Sequence, residues 1–144
     1  MLKRIIKYTD FNNEEQAETF YFNLTSAEMM ELSVSHGGNL QAYIEKLQRD
    51  KDNERIVALV KEIILLSYGV KSGDGRQFKK NEELRKAFVS SAAYSALFTE
   101  LVFDDTKQMA FVEGIMPPDW KEISARAEKE AVRRGLLPAD MPST

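Results

Sequence analysis

The stretch SYGVKSGDGRQFKKNEEL, residues 67–84, contains residue types that can bind phosphate or calcium. Three glycines, Gly69, Gly73 and Gly75, surround Asp74, and glycine-rich loops expose backbone N–H groups that can hold an anion. Asp74 followed by glycine is also typical of the middle of a calcium-binding loop. The stretch therefore raises three alternatives: a phosphate loop, a calcium loop, or a rigid corner between helices.

The spacing in this stretch disfavours both ligand-binding loops. A P-loop ends in Gly-Lys followed by Ser or Thr, which is missing here, and the carboxylate of Asp74 would repel phosphate. An EF-hand alignment places Val70 where an oxygen ligand is needed and Asn81 where a bidentate glutamate belongs. We therefore interpret the stretch as a structural turn. In this turn Gly69 ends a helix at positive φ, and the Gly73–Gly75 segment forms the corner.

The rest of the chain gives no pattern for catalysis or for a metal. It has one histidine, His36, and no cysteine, which excludes disulfides, zinc ribbons and thiol nucleophiles. A single histidine before two glycines does not form a histidine-based metal site, and no GxSxG motif supplies a serine nucleophile. Most carboxylates lie in mixed segments such as EKEAVRR, which is typical of a solvated helix. We expect no catalytic residue, no metal and no cofactor.

The composition predicts a soluble globular protein. The 144 residues are 43% hydrophobic and 30% charged, which suits one domain with a sizeable core. The net charge of −3 disfavours nucleic acid as a partner, so a helical DNA-binding regulator is a weaker alternative. The longest apolar run, IILL at 63–66, is far below the roughly 20 residues that span a bilayer. The N-terminal MLKRIIKYTD has no apolar core, so we expect neither a signal peptide nor a membrane segment.

The first half of the chain predicts a β-hairpin followed by three helices. Apolar and polar residues alternate within residues 2–24, which indicates two strands. Thr25 and Glu28 form a capping-box pattern that opens a helix to about residue 34. Asn39 caps a second helix. The third helix, over residues 53–68, is the most apolar of the three.

The second half predicts further helices with clear boundaries. Helical spacing over residues 84–101 indicates one long helix or two helices broken near Ser90-Ser91. Asp105 with Gln108 is predicted to cap the next helix, and the double proline after Met116 ends it. A last helix ends at Gly135. The fold class is thus α+β and predominantly α, with an N-terminal β-hairpin packed on five or six helices. Residues 1–118 are predicted to form a single globular domain, and 119–144 a charged amphipathic helix with a flexible tail, LLPADMPST.

Two segments carry more large apolar side chains than one narrow helical stripe can bury: YSALFTELVF at 94–103 and MAFVEGIM at 109–116. One interpretation is a helix buried on two sides. The other is a surface for a helix of another protein or a second copy, with methionines supplying adaptable contacts. The candidate partner-binding residues are Phe98, Val102, Phe103, Phe111, Met116 and Trp120.

An ordered set of motifs resembles the tail assembly chaperones of long-tailed bacteriophages. The pattern is SYG, then S-x-DG-x-x-F-x-K, then F-x-x-S-x-AY-x-x-L-F-x-x-L, then F-x-x-G-I-x-P. The matching residues are Ser67, Tyr68 and Gly69; Ser72, Asp74, Gly75, Phe78 and Lys80; Phe88, Ser91, Ala93, Tyr94, Leu97, Phe98 and Leu101; and Phe111, Gly114, Ile115 and Pro117. The upstream TFYFNLTSAEMMEL also looks like the opening strand and capped helix of that family, so the resemblance covers most of residues 16–117.

The resemblance implies a protein that is not an enzyme and that works in the host cytoplasm during virion assembly. Such chaperones bind the tape measure protein, keep it soluble, help the tail tube protein to assemble, and leave before the virion is complete. The resemblance also implies other copies of the chain and a longer, frameshifted form as partners, and this chain looks like the shorter form.

Two other functions stay open beside the chaperone. One is a helical structural adaptor or connector-type subunit that remains in the phage particle. The other is an enzyme, which would need a cleft with converging polar groups that nothing in the sequence predicts.

Overall fold

The computed structural model describes residues 1–135, which form a four-stranded antiparallel sheet and seven helices. The predicted fold class, α+β and mainly α, is confirmed, with seven helices rather than five or six. The predicted tail LLPADMPST lies outside the described residues. The elements are β1 (Leu2–Thr9), β2 (Glu15–Phe22), α1 (Ser26–Ser35), α2 (Leu40–Arg49), α3 (Asn53–Ser67), β3 (Tyr68–Lys71), β4 (Phe78–Lys79), α4 (Glu82–Val89), α5 (Ala92–Phe103), α6 (Asp105–Ile115) and α7 (Trp120–Arg133).

The chain divides into two compact units. The first comprises Met1–Asn23 and Val57–Ile115, and the second comprises Leu24–Ile56 with the described residues from Met116 onward. The division falls within α3. The predicted single domain over residues 1–118 stays a prediction.

The sheet of the first unit has the strand order β1-β2-β3-β4. The predicted hairpin is confirmed: β1 and β2 pair over their whole length, from Leu2 opposite Phe22 to Thr9 opposite Glu15. On β1 the inward side chains, such as Ile6, alternate with exposed ones, because successive side chains of a strand point to opposite faces. α5 and α6 cover the inward face. This packing gives the hairpin the helical cover that two strands need for stability.

The junction after α3 differs from the prediction. Gly69 does not end the helix, and its φ is not positive. Helix α3 ends at Ser67 and is followed directly by strand β3, in which Gly69 pairs with Tyr21. A Cβ at Gly69 would lie 2.7 Å from the Phe78 ring and 2.8 Å from the Lys79 carbonyl oxygen. Glycine is therefore required here for close approach. Short strands β3 and β4 were missed because Tyr68–Lys71 follows an apolar helical pattern without a break.

The corner at residues 72–77 joins β3 to β4. Gly75 has a φ of 74°, a backbone conformation that favours glycine. Gly73 does not have a positive φ, and a Cβ at this position would have no atom within 4 Å. The Ser72 Oγ donates to Asp74 Oδ1 at 2.7 Å, and the same oxygen accepts from the Arg76 N–H at 3.0 Å. These hydrogen bonds hold the pKa of the Asp74 carboxyl below its ordinary value, with the bond from Ser72 the larger cause. The carboxylate thus serves the turn itself.

Two cations fix the C-terminus of α3. Lys80 Nζ donates to the carbonyl oxygens of Asn23 at 2.8 Å and Leu66 at 3.0 Å, and Arg85 Nε donates to that of Leu65 at 2.9 Å. The last carbonyls of a helix lack intrahelical donors and carry the negative end of its dipole, so both cations stabilise this end.

The second unit is built from α1, α2 and α7. The capping box of Thr25 and Glu28 is present at the start of α1, as predicted. Asn39 caps α2 by accepting from the Ala42 N–H, and its Nδ2 donates to Glu128 of α7 at 2.8 Å. α7 packs against α1 and buries small side chains, among them Ala127, which permit close helix contact. His36 is the C-cap residue of α1 and stacks on a tyrosine ring of α2.

Candidate partner-binding surface

Helix α5 has two faces of opposite character. Its N-cap is Ser91, whose hydroxyl accepts from the Tyr94 N–H. A break at Ser90-Ser91 separates α5 from α4, so residues 84–101 form two helices, which is the second of the two predicted alternatives. One face buries Ala93, Leu97 and Leu101 completely. The opposite face carries half-buried or exposed side chains at helical spacing, which we call the α5 outer face: Ala92, Ser95, Ala96, Thr99 and Phe103.

The α5 outer face is uncharged and ends at Phe103, whose aromatic ring is exposed to solvent. Phe103 is 84% exposed, the highest exposure among the large apolar residues described. The other four members of the outer face, Ala92, Ser95, Ala96 and Thr99, have small side chains, so the helix backbone lies close to the surface. An exposed apolar ring beside a flat, small-residue surface is typical of a contact site for another protein.

A groove of about 590 Å³ runs along this surface within the first unit. The outer face of α5 supplies one wall, and the end of the β1–β2 hairpin supplies the other with Tyr8, Thr9 and Phe11. Phe11 is 82% exposed at the hairpin turn, and Val89 at the end of α4 adds a further apolar side chain. All the lining residues are uncharged, and they combine apolar side chains with hydroxyl groups, so the groove suits an uncharged occupant.

The single charged residue of α5 is turned away from the groove. Glu100 Oε1 accepts from Arg4 Nη2 at 2.8 Å and lies 3.5 Å from Lys107 Nζ. These contacts tie α5 to β1 and α6 on its inner side. Glu100 is paired there and does not line the groove, so the outer face is uncharged.

A cluster of aromatic rings from β2, β3, α4 and α5 packs together on the inner side of α4. Tyr68 stacks on Phe88 with centroids 4.1 Å apart and planes within 7°, and Phe22 meets Phe111 edge-on at 5.2 Å. Burial raises the pKa of the Tyr68 hydroxyl, with the nearby Glu18 a smaller cause. Stacked and edge-on pairs of this kind add stability beyond area burial, so the break between α4 and α5 is firmly held.

The six predicted contact residues fall into different environments. Phe103 is exposed, whereas Phe98, Val102 and Trp120 are half-buried, with Phe98 packed against Tyr94 at 5.7 Å. Phe103 and Val102 lie on or beside the α5 outer face. Trp120 lies at the start of α7 in the second unit, with Lys121 Nζ 5.8 Å above its ring.

Phe111 and Met116 are buried instead. Phe111 is 1% exposed because its ring fills the space beside Phe22, and Met116 is 5% exposed. Neither side chain is accessible on the chain by itself, so we leave both out of the proposed contact surface.

Sequence reasoning missed most of the α5 outer face. Ser95, Ala96 and Thr99 are too small to stand out in a search for large apolar side chains. A usable signal was present: they recur on the side of the helix opposite Leu97 and Leu101, in a twelve-residue helix with one charge. Phe11 was missed because residues 2–24 were interpreted only as a structural hairpin, and no residue of that segment was considered for partner contact.

The predicted cap of α6 is displaced by one residue. Asp104, rather than Asp105, accepts from the Lys107 N–H at 3.0 Å. Gln108 is buried, and its Nε2 donates to the Val102 carbonyl oxygen at 3.2 Å. This bond braces the chain just before Phe103.

Comparison with known proteins assigns a family to this arrangement. A family model described as phage tail assembly chaperone matches residues 1–143. The chain belongs to this family. No curated protein and no solved structure matches the chain significantly.

The motif residues that carried the resemblance build the frame of the tail assembly chaperone. In SYG, Ser67 Oγ donates to the Ile63 carbonyl oxygen at 2.6 Å, Tyr68 joins the ring cluster, and Gly69 admits the Phe78 ring. At Gly114, an added Cβ would lie 2.9 Å from the Leu2 side chain, so glycine lets α6 approach β1. These motifs thus position α5 without forming its outer face.

A second groove, of about 540 Å³, lies at the end of the hairpin, and the charged residues Lys7 and Glu15 are among its lining. Among residues 1–135, no group of three or more His, Cys, Asp or Glu side chains could hold a metal ion. Within the same residues, no helix is long and apolar enough to cross a bilayer. We take the groove beside α5 as the candidate functional site, because its lining is uncharged and the exposed Phe103 lies on the same helix face.

Proposed function

We propose that this chaperone binds the tape measure protein of its phage through the α5 outer face and keeps that protein soluble until the tail tube encloses it. The observation that carries the proposal is the uncharged groove beside the exposed Phe103, in a chain that belongs to the tail assembly chaperones. The action takes place in the host cytoplasm while virions assemble.

The client is an apolar face of an α-helix. A tape measure protein is a long helical chain, and its apolar stripes would aggregate if they were left exposed. Ser95, Ala96 and Thr99 are small enough for the client helix to lie close, while Phe103 inserts between its side chains as a knob enters a hole. This is helix-in-groove recognition with the helix supplied by the client.

The charge of the chain suits the same role. At −3, each bound copy adds negative charge to the loaded assembly, and mutual repulsion keeps such assemblies dispersed. A short groove gives a weak single contact, so many copies hold the client by avidity and still release it. Release frees the client for the tail tube protein and accounts for the absence of the chaperone from the finished virion.

Co-expression with the tape measure protein of the same genome tests the proposal. We expect most of the tape measure protein to stay in the supernatant with the wild-type chain and to precipitate without it. The double variant Ala96→Glu and Phe103→Gln should fold normally, because both positions are outside the core, and should fail to keep the client soluble. A buried charge opposite an apolar helix is costly, which makes the loss large.

Met30→Gln and Val57→Gln are the matched controls. Both replace apolar side chains that are 38% and 40% exposed on other helices, and glutamine favours helix. Each should keep the client as soluble as the wild type does. Equal precipitation with and without the wild-type chain would refute the chaperone role toward this client. Recovery of the chain in stoichiometric amounts from purified virions would favour the connector-type subunit instead.

A further inference from the structure

The groove beside α5 lies between two exposed aromatic rings. Phe11 belongs to the groove lining and is 82% exposed, while Phe103 is 84% exposed and lies one turn beyond Thr99, the last α5 residue of the lining. Arg4 of β1 bonds to Glu100 near the C-terminal end of α5, and β1 runs from there to the hairpin turn that carries Phe11. The two rings therefore mark opposite ends of the groove.

The separation of these ends sets the length of helix that the groove accepts. The α5 outer face extends from Ala92 to Phe103, which corresponds to about 16 Å at about 1.5 Å a residue. A client helix packed along α5 thus presents about three turns. The groove lining is uncharged, so a charge on the contacting face of the client would lose water without gaining a partner. The contacting face is therefore uncharged over about three turns.

The hairpin end of the groove is acidic. Glu18 Oε1 accepts from the hydroxyl of Tyr8, which lines the groove. Asp10 directly precedes Phe11, and its carboxylate accepts from the Glu14 N–H at 3.0 Å, so Glu14 belongs to the same turn. This bond is the largest cause that holds the pKa of the Asp10 carboxyl below its ordinary value, which keeps it ionised at neutral pH. We call Asp10, Glu14 and Glu18 the acidic wall.

The acidic wall has little neutralising charge around it. No lysine or arginine within residues 1–135 forms an ion pair with its three carboxylates. Lys86 lies one turn before Ser90 on α4 and offsets only part of their charge. Lys7 points to the opposite face of the hairpin, where Glu15 is its diagonal neighbour. A lysine or arginine of a bound segment can therefore form charge-assisted hydrogen bonds with the acidic wall.

We infer that this groove selects client segments that are helical, uncharged on one face for about three turns, and terminated at one end by two or more lysines or arginines. The inference rests on the proposed function and names the kind of client segment that it involves. The uncharged face lies between Phe11 and Phe103, and the cations lie against the acidic wall. Glu14 and Glu18 are then specificity-determining residues, because they disfavour apolar helices that end in acidic residues.

Three synthetic peptides and the full chain test this selectivity. The peptides share a central helix of leucine, alanine and serine over about three turns, and they end in two lysines, two glutamines or two glutamates at the same end. Fluorescence anisotropy measures the Kd of each peptide at low and at physiological salt. The wild-type chain should bind the lysine peptide at least about tenfold more tightly than the glutamate peptide, and the ratio should shrink as salt rises.

Charge reversal separates the acidic wall from the net charge of the chain. Glu14→Lys with Glu18→Lys should bind the glutamate peptide more tightly than the lysine peptide. The matched control, Glu31→Lys with Glu45→Lys, makes the same change in net charge at exposed residues of α1 and α2 and should keep the preference for lysine. Comparing the ratio of the two Kd values between variants cancels any difference in helicity between the peptides. Circular dichroism verifies that each variant is folded.

A third variant tests the length of the bound segment. Phe103→Gln should weaken binding of the lysine peptide, because a segment that starts at the acidic wall reaches that ring, while the ratio between the peptides stays as in the wild type. An unchanged Kd for the lysine peptide would contradict the three-turn span.

Several results would overturn the inference. These are equal affinity of the three peptides for the wild-type chain, no binding of any of them, or the same loss of preference in both double variants. Equal affinities that Phe103→Gln lowers for every peptide would remove the charge selectivity and leave client binding by the α5 outer face in place. The co-expression experiment measures that function separately.

Discussion

The two faces of α5 differ in what they contribute. The inner face, with Ala93, Leu97 and Leu101, is fully buried, and Glu100 pairs with Arg4 beside it. The outer face, from Ala92 to Phe103, has small side chains and one exposed ring. The same twelve residues thus serve the fold on one side and offer a contact surface on the other.

The α5 residues that match the family motif contribute to the fold rather than to the outer face. Of the α5 motif residues, Ser91 caps the helix, Ala93, Leu97 and Leu101 are buried, and Tyr94 packs edge-on against a ring of α4. The resemblance therefore identifies the frame that places α5. The residues that would touch a client lie between the motif positions, where the frame places no demand on side-chain size.

The largest change in the free energy of unfolding is expected for a substitution on the inner face of α5. Leu97→Ala should lower the free energy of unfolding by about 2–5 kcal/mol, because it removes buried area and leaves a cavity. Thr99→Ala, one half-turn further on the outer face, should change it by less than about 0.5 kcal/mol. Urea unfolding followed by circular dichroism measures both. Similar losses at the two positions would break the distinction between the faces.

The next effect concerns the frame that holds α5 in place. Gly69→Ala should cost about 1–3 kcal/mol, since the new methyl group meets the Phe78 ring and the Lys79 backbone. Gly73→Ala should be close to neutral, because nothing lies near its Cβ and its φ is not positive. Thermal unfolding of both variants gives the answer. A Gly69→Ala chain as stable as the wild type would mean that the β3–β4 pairing is looser than the structure indicates.

A smaller effect is expected at the start of α5. Ser91→Ala should cost about 1 kcal/mol, because the cap to the Tyr94 N–H and the bond to the Phe88 carbonyl oxygen are both lost. Ser95→Ala on the outer face should be neutral or slightly stabilising, since alanine favours helix. The comparison sharpens the distinction within a single helical turn. Destabilisation by Ser95→Ala equal to that by Ser91→Ala would contradict it.

The smallest effect lies on the solvent-exposed side of α7. Hydrogen bonds from Arg133 first and Arg134 second lower the pKa of Glu130 from 4.5 to about 2. The stabilisation is therefore present above pH 4.5 and is lost as the pH falls toward 2. Because both arginines are exposed and Glu130 is only half-buried, we expect only local fraying of the last turn of α7.

Carboxyl-detected NMR of Glu130 measures this pKa directly. Arg133→Gln should move the midpoint upward toward the ordinary value, while global unfolding with acid stays nearly unchanged. A midpoint near 4.5 in the wild-type chain would show that the pairs do not persist in solution.

Most of the fold was predictable because its signals are local. The hairpin, the capping box at Thr25, the Asn39 cap and the end of α7 at Gly135 each depend on a few neighbouring residues. The short strands β3 and β4 depend on pairing with β2, which is a tertiary contact, so the apolar run before them looked like continuing helix. Asp104 and Asp105 are both plausible caps, and only backbone geometry distinguishes them.

The candidate site was predictable only in part. Large apolar residues directed attention to the segment that carries the candidate site, and Phe103 is exposed, but residue type alone did not distinguish Phe103 from the buried Phe111. Burial depends on which elements pack together, and for Phe111 the deciding contact is Phe22, 89 positions earlier in the chain. The groove itself needs Phe11 beside α5, a proximity created by the hairpin.

Site-specific photo-cross-linking during tail assembly tests the central claim most directly. A photoreactive residue replaces Thr99 on the α5 outer face in one chain and Val57 on α3 in another. After illumination of infected cells, we predict a cross-link to the tape measure protein from position 99 and none above background from position 57. A cross-link from position 57 alone, or none from position 99 while tails still assemble with that chain, would contradict client binding by the α5 outer face.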